Sequence, residues 1–197
     1  MLNENLSRAV ARKDLDEVRR LLDEGADPNS GGWPQPFTPF QQAFYNADAA
    51  MIDLLLARGA SVLPRRGDSS VLALLASSPM EDGPAEALAR RLIGLGSPVQ
   101  NVTYYMTPLM AAAASGRLWL VRLLLDQGAD PNFAALGGGE PLSKAVEHRR
   151  KDVLRLLLER GAVPGNGVAG RGGSPLLKAT IYGDAEIVGL LLDHGAD

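Results

Sequence analysis

The chain carries few residues able to do chemistry. His148 and His194 are the only histidines in 197 residues, and there is no cysteine. Zinc and redox centres need several imidazole, thiolate or carboxylate ligands at short, regular spacing. Two isolated histidines without a paired spacing give no metal site and no thiol chemistry. One stretch, Gly165-Asn166-Gly167-Val168-Ala169-Gly170, matches the glycine pattern that lets a backbone approach a pyrophosphate. That chemistry requires a strand before the glycines and a helix opening within them. Here the pattern follows a leucine-rich helical segment ending near Arg160, so it reads as a turn. No Gly-x-Ser-x-Gly elbow presents a nucleophile. The expected inventory is no catalytic residue, no cofactor and no metal: the chain is not an enzyme.

Composition narrows the class further. Apolar residues make up 46%, aromatics only 5%, and the net charge is -3. A large core is therefore possible, but Leu and Ala must fill it. A net negative chain without a basic run is not expected to bind nucleic acid. No stretch approaches the roughly 20 apolar residues that span a bilayer. The start, Met1-Leu2-Asn3-Glu4-Asn5, lacks the basic and apolar regions of a secretory signal, so a cytoplasmic location is expected.

The elements come from a repeat. A leucine run followed by Gly-Ala or a variant recurs, with its glycine at 25, 59, 96, 128, 161 and 195, at intervals of 34, 37, 32, 33 and 34 residues. A second landmark keeps step: Thr38-Pro39-Phe40, Thr107-Pro108-Leu109, Glu140-Pro141-Leu142 and Ser174-Pro175-Leu176 each start 21 residues before their glycine. Glu4-Asn5-Leu6 holds the same offset, and Ser70-Val71-Leu72 lies five residues early. Thr or Ser before Pro caps a helix whose first turn tolerates the missing N–H. Leucines at 3–4 spacing make a buried stripe on a second helix, and glycine ends it in the left-handed conformation.

This pattern resembles the ankyrin repeat. The closest match is Thr107-Pro108-Leu109-Met110-Ala111-Ala112-Ala113-Ala114-Ser115-Gly116, continued by Leu118, Val121, Leu123-Leu124-Leu125 and Gly128-Ala129-Asp130. The resemblance implies an all-α ankyrin-repeat solenoid: six stacked helix-turn-helix units with hairpin-like turns between them. The units fall at about 1–32, 33–64, 65–101, 102–134, 135–168 and 169–197, forming a single domain. The family's usual His after Thr-Pro-Leu is replaced by Gln41, Met110, Ser143 and Leu177, so the hydrogen bonds it gives between turns need another source. The first unit is polar along one side and reads as a cap. The third carries extra residues between its helices near 77–84, where the lowest local stability is expected. The sixth stops at Asp197 before a capping turn, which predicts either continuation of the natural protein or a covering partner. Asn29 and Asn132 each follow a Leu by eight residues, a register hydroxylated in some animal members of the family.

The resemblance also implies a function: binding another protein in the groove lined by turn tips and first helices. Register then selects Trp33, Phe37, Gln42, Tyr45 and Asn46 in the second unit. It selects Tyr104, Tyr105, Met106 and Ser115 in the fourth, Lys144, Glu147 and His148 in the fifth, and Arg171, Lys178, Ile181 and Tyr182 in the sixth. Six of the ten aromatics fall at these positions, and aromatics concentrate binding energy at interfaces. Trp119 sits instead on a second helix, where it either packs on the neighbouring unit or marks a second contact. A monomeric scaffold or adaptor is expected. The alternatives are a bacterial immunity-type inhibitor of a toxin or effector, and an accessory or fragment domain of a larger enzyme or channel.

Overall fold

The structure, a computed structural model, describes residues 1–31, 37–64, 69–100, 106–135, 139–165 and 174–197. Among these residues every regular element is a helix: α1 (Leu2–Ala11), α2 (Leu15–Asp23), α3 (Pro39–Tyr45), α4 (Ala49–Ala57), α5 (Val71–Ser77), α6 (Asp82–Gly94), α7 (Pro108–Ser115), α8 (Leu118–Asp126), α9 (Pro141–Glu147), α10 (Lys151–Glu159), α11 (Pro175–Ile181) and α12 (Ala185–Asp193). Consecutive helices pair. The first helices of the pairs, α1 to α11 by odd numbers, pack side by side as an inner layer. The second helices form an outer layer, in which α4 and α6 pack less closely than the other neighbours.

The caps explain where the helices begin. Thr38 and Thr107 accept hydrogen bonds from the N–H groups of Gln41 and Met110, both at 3.1 Å. Asp14 and Asp48 do the same for Glu17 and Met51 at 3.0 Å. The six landmark glycines all take φ between 85° and 93°. The reversal this allows returns Ala129 N–H to Leu124 O at 2.9 Å, and the other units repeat the bond.

Packing follows the same register. Leu21, Leu55, Leu92, Leu124, Leu157 and Leu191 form a continuous spine, each 1% exposed or less. Burying a leucine contributes about 1.5–3 kcal/mol. Ala9, Ala43, Ala112, Ala145 and Ala179, all buried, let the inner helices approach closely.

Links between units come from residues whose role the repeat pattern does not display. The Asn29 side chain donates to Gly59 O at 2.9 Å and accepts from Ser61 N–H at 2.7 Å. Asn132 does likewise with Gly161 O and Val163 N–H, both at 2.8 Å. These asparagines tie adjoining turns together where the family's histidine is missing. Ion pairs join the outer layer: Arg58–Asp23 at 2.6 Å, Arg91–Asp53, Arg160–Asp126 at 2.7 Å and Lys151–Glu186 at 2.6 Å.

The third pair differs from the expected loop insertion. Only residues 78–81 lie between its helices. Asp82, Gly83 and Pro84 belong to α6, which at 13 residues is longer than the 9-residue α4 and α8. Most of the extra length is thus an added helical turn. The short connection is held by the next unit: the Arg117 guanidinium donates to Ser78 O at 2.7 Å and Met80 O at 2.6 Å.

Candidate functional site

The register-selected residues that the structure describes differ markedly between units. In the second pair, Phe40 and Phe44 turn inward and meet edge to face, 5.2 Å between centroids. Phe37 and Tyr45 turn outward, 37% and 48% exposed, with rings 4.7 Å apart at 48°. The result is an aromatic platform beside α3. Gln42 donates to the side chain of Asn46 at 3.3 Å. Asn46 is used within the array, donating to Val10 O at 3.0 Å and accepting at its own carbonyl from Lys13 at 3.1 Å.

The fourth pair is quieter. Met106 is partly buried and packs against the core. The Ser115 hydroxyl donates to Ala112 O of its own helix at 3.1 Å. Trp33, Tyr104, Tyr105, Arg171 and Asn166 to Gly170 of the glycine pattern lie outside the described residues.

In the fifth and sixth pairs, Glu147 bridges two lysines, accepting from Lys144 at 2.7 Å and from Lys178 of the next unit at 2.6 Å. Burial pushes its carboxyl up, but the lysine hydrogen bonds outweigh this and hold it below the ordinary value. His148 caps α9 and is exposed. Ile181 and Tyr182 are exposed at the end of α11.

Glu140 stands where the second, third, fourth and sixth units have Thr or Ser. It is buried and makes no cap bond to α9, and its carboxyl accepts from the Ser143 hydroxyl at 3.2 Å. Burial pushes its pKa up, against the smaller opposing effects of Ser143 and Lys178. A raised folded value means the folded chain holds this proton more tightly. Stability from this group is therefore present below the ordinary value of 4.5 and declines as pH rises through the folded value. Glu140→Thr should raise stability at pH 7 by about 1 kcal/mol from the restored cap, and further by removing a buried carboxylate that is costly to ionise. The gain should shrink towards pH 4, as read by urea denaturation across pH.

Trp119 is partly buried against the core, with the Arg117 guanidinium 5.9 Å from its ring centroid. Its indole N–H is buried without a partner among the described residues. Trp119 thus packs on the core beside a cation of its own unit. Sequence reasoning missed Arg117 and Glu140. At Glu140 a signal was available, since a carboxylate there departs from the Thr or Ser of units two, three, four and six. Nothing local to Arg117 points to carbonyls 37 and 39 residues away. No group of three His, Cys, Asp or Glu side chains among the described residues is placed to hold a metal ion. No helix among them is long and apolar enough to cross a membrane.

Stacked helix pairs with a glycine-ended outer helix, tied turn to turn, define an α-helical repeat solenoid. Residues 74–166 match the family model of ankyrin repeats, in three copies. The human ASB11 ankyrin repeat domain superposes with a TM-score of 0.74 at 25% identity, covering 98% of this chain and 84% of that one. An ankyrin repeat domain of Acinetobacter baumannii gives 0.74 at 24% identity, covering 98% of each chain. An ankyrin repeat-containing protein of Treponema pallidum is 37% identical over 81 residues, which is 40% of this chain and 27% of that protein. Residues 74–166 thus carry ankyrin repeats, and the chain as a whole has the ankyrin-repeat fold. It spans about a quarter or less of the length of the curated relatives it matches. Ankyrin repeats are generally protein–protein interaction modules, and the fold is typically non-enzymatic.

Proposed function

We infer that this chain is a non-catalytic interaction module, a scaffold or adaptor, that takes a partner protein along the groove face of its inner helices. The observation that carries this reading is the Phe37–Tyr45 platform, two paired aromatic rings left in solvent beside two others that are buried. Aromatic anchors at the centre of an interface each contribute up to a few kcal/mol. Phe37→Ala combined with Tyr45→Ala should weaken partner binding by about 2–4 kcal/mol while leaving the melting temperature nearly unchanged. Titration calorimetry with a partner captured from the native host reads this directly. Unchanged affinity in a folded variant would remove the groove from the account. Tyr45→Ala with Tyr104→Ala extends the same test towards the fourth unit. The reading includes six units with the boundaries given above, a monomer, a cytoplasmic location and no nucleic-acid partner.

A second reading, a domain of a larger protein, is favoured by the sixth pair. Leu177 is 53% exposed, whereas its counterparts Ser143, Met110 and Gln41 are buried under the following unit. Leu192 is also exposed, where its counterparts Leu22 and Leu158 are buried and Leu56, Ile93 and Leu125 half-buried. This face has the surface that elsewhere receives another helix pair. Sequencing the reading frame around the chain decides between a free module and such a domain.

A further inference from the structure

The chain is net negative, yet its groove face is not. The helices α3, α5 and α7 carry no charged residue at all. Cations stand at the two ends of the groove. Arg8 and Arg12 occupy the groove register of the first unit; Arg8 pairs with Glu4, and the Arg12 side chain is exposed with no hydrogen bond or ion pair among the described residues. Lys144 and Lys178 occupy it in the fifth and sixth, sharing the single carboxylate of Glu147. Carboxylates concentrate instead on the outer helices and their caps, as at Asp14, Asp16, Glu17 and Asp23 on α2 and its cap. Between the charged ends lie the Phe37–Tyr45 platform and then small side chains, Ser77, Ala114 and Ser115.

We propose that the groove takes an extended acidic segment of a partner protein, with carboxylates over the two basic ends and bulky apolar side chains over the uncharged middle. This rests on the groove reading above and names its occupant. Opposite charge at the ends fixes direction and register. The aromatic platform and the small-residue floor beyond it supply an apolar anchor and room for it. Neighbouring helices stack about 10 Å apart, so α1 to α11 spans about 50 Å. An extended chain covers 3.3–3.6 Å per residue, which makes the segment about 14 residues long. Nucleic acid fits poorly, because its closely spaced phosphates would lie over an uncharged floor.

The test pans a phage-displayed library of random 16-residue peptides on the immobilised chain. Enriched peptides should be acidic, with carboxylates towards both ends. As synthetic fluorescent peptides they should lose at least about tenfold in affinity in Arg12→Glu, in Lys144→Gln with Lys178→Gln, and between 50 and 500 mM NaCl. Lys178 is nearly buried, so its variant is first checked by thermal melting. Arg12→Glu, at an exposed residue without a partner, carries the test if that variant unfolds. Enrichment of neutral or basic peptides whose binding Tyr45→Ala abolishes overturns the acidic segment and keeps the groove. No enrichment, or peptides that no groove substitution weakens, overturns both. Tighter binding of a 15-nucleotide single-stranded oligonucleotide than of the best peptide overturns the proposal in favour of nucleic acid.

Discussion

Arg117→Met should cost about 3 kcal/mol and should make unfolding of the array less cooperative. The Arg117 side chain is only 12% exposed, and one guanidinium nitrogen satisfies two backbone carbonyls, Ser78 O and Met80 O. A hydrogen bond to a charged group contributes about 1.5–3 kcal/mol, and carbonyls left unpaired add a desolvation cost. Met keeps much of the volume, so the loss is chiefly that of the bonds and of the cation beside Trp119. In a linear array, stability is close to a sum of unit and junction terms. Weakening one junction should then separate the transition of the first three pairs from that of the last three. In a Trp33→Phe background, urea denaturation followed by Trp119 fluorescence and by helical circular dichroism should give coincident midpoints with Arg117 present and diverging ones in the variant. Coincident midpoints at an unchanged position would mean that the connection between α5 and α6 holds itself.

The second large effect is expected at Phe44. It is fully buried and stacks edge to face on Phe40. Its position within the first helix is held elsewhere by Ala76, Ala113 and Val146, so it is the bulkiest filler at this register. Phe44→Ala should cost about 3–5 kcal/mol, because the surrounding helices cannot close over the space. Phe44→Leu should recover most of it. Guanidinium denaturation measures both, and a loss below about 1 kcal/mol would show that the neighbours collapse into the gap.

How far the sequence could be read depends on the range of the interaction. The helix pairs, their caps and the leucine spine follow from residues within one period. The outward turn of Tyr45 follows from its place in the first helix. The fate of Asn46 does not. It occupies a groove register but bonds to Val10 O, 36 residues earlier, and that contact exists only once two units are stacked. Asn29 and Asn132 stand out in the sequence as polar turn residues, yet their bonds reach 29 to 32 residues onward. The extra residues of the third unit look like a loop because Ser77-Ser78-Pro79 and Gly83-Pro84 are turn-forming types. Pro84 falls instead in the first turn of α6, where its missing N–H costs nothing. Periodicity says which residues share a face; it does not say what a neighbouring copy of the period places opposite them.

The junction between the second and third pairs has a consequence for anything lying across it. Among the described residues its one charged tie is the exposed Arg91–Asp53 pair, and α4 and α6 pack loosely. Exposed ion pairs contribute little, so this is where the array flexes most easily, like a joint between a two-pair lobe and a four-pair lobe. A ligand long enough to touch both lobes must freeze that joint and surrender some affinity to do so, while a short one held by Tyr45 alone leaves it free. Slowed amide exchange in α4 and α6, far from any contact on the inner helices, would therefore be the signature of a long ligand.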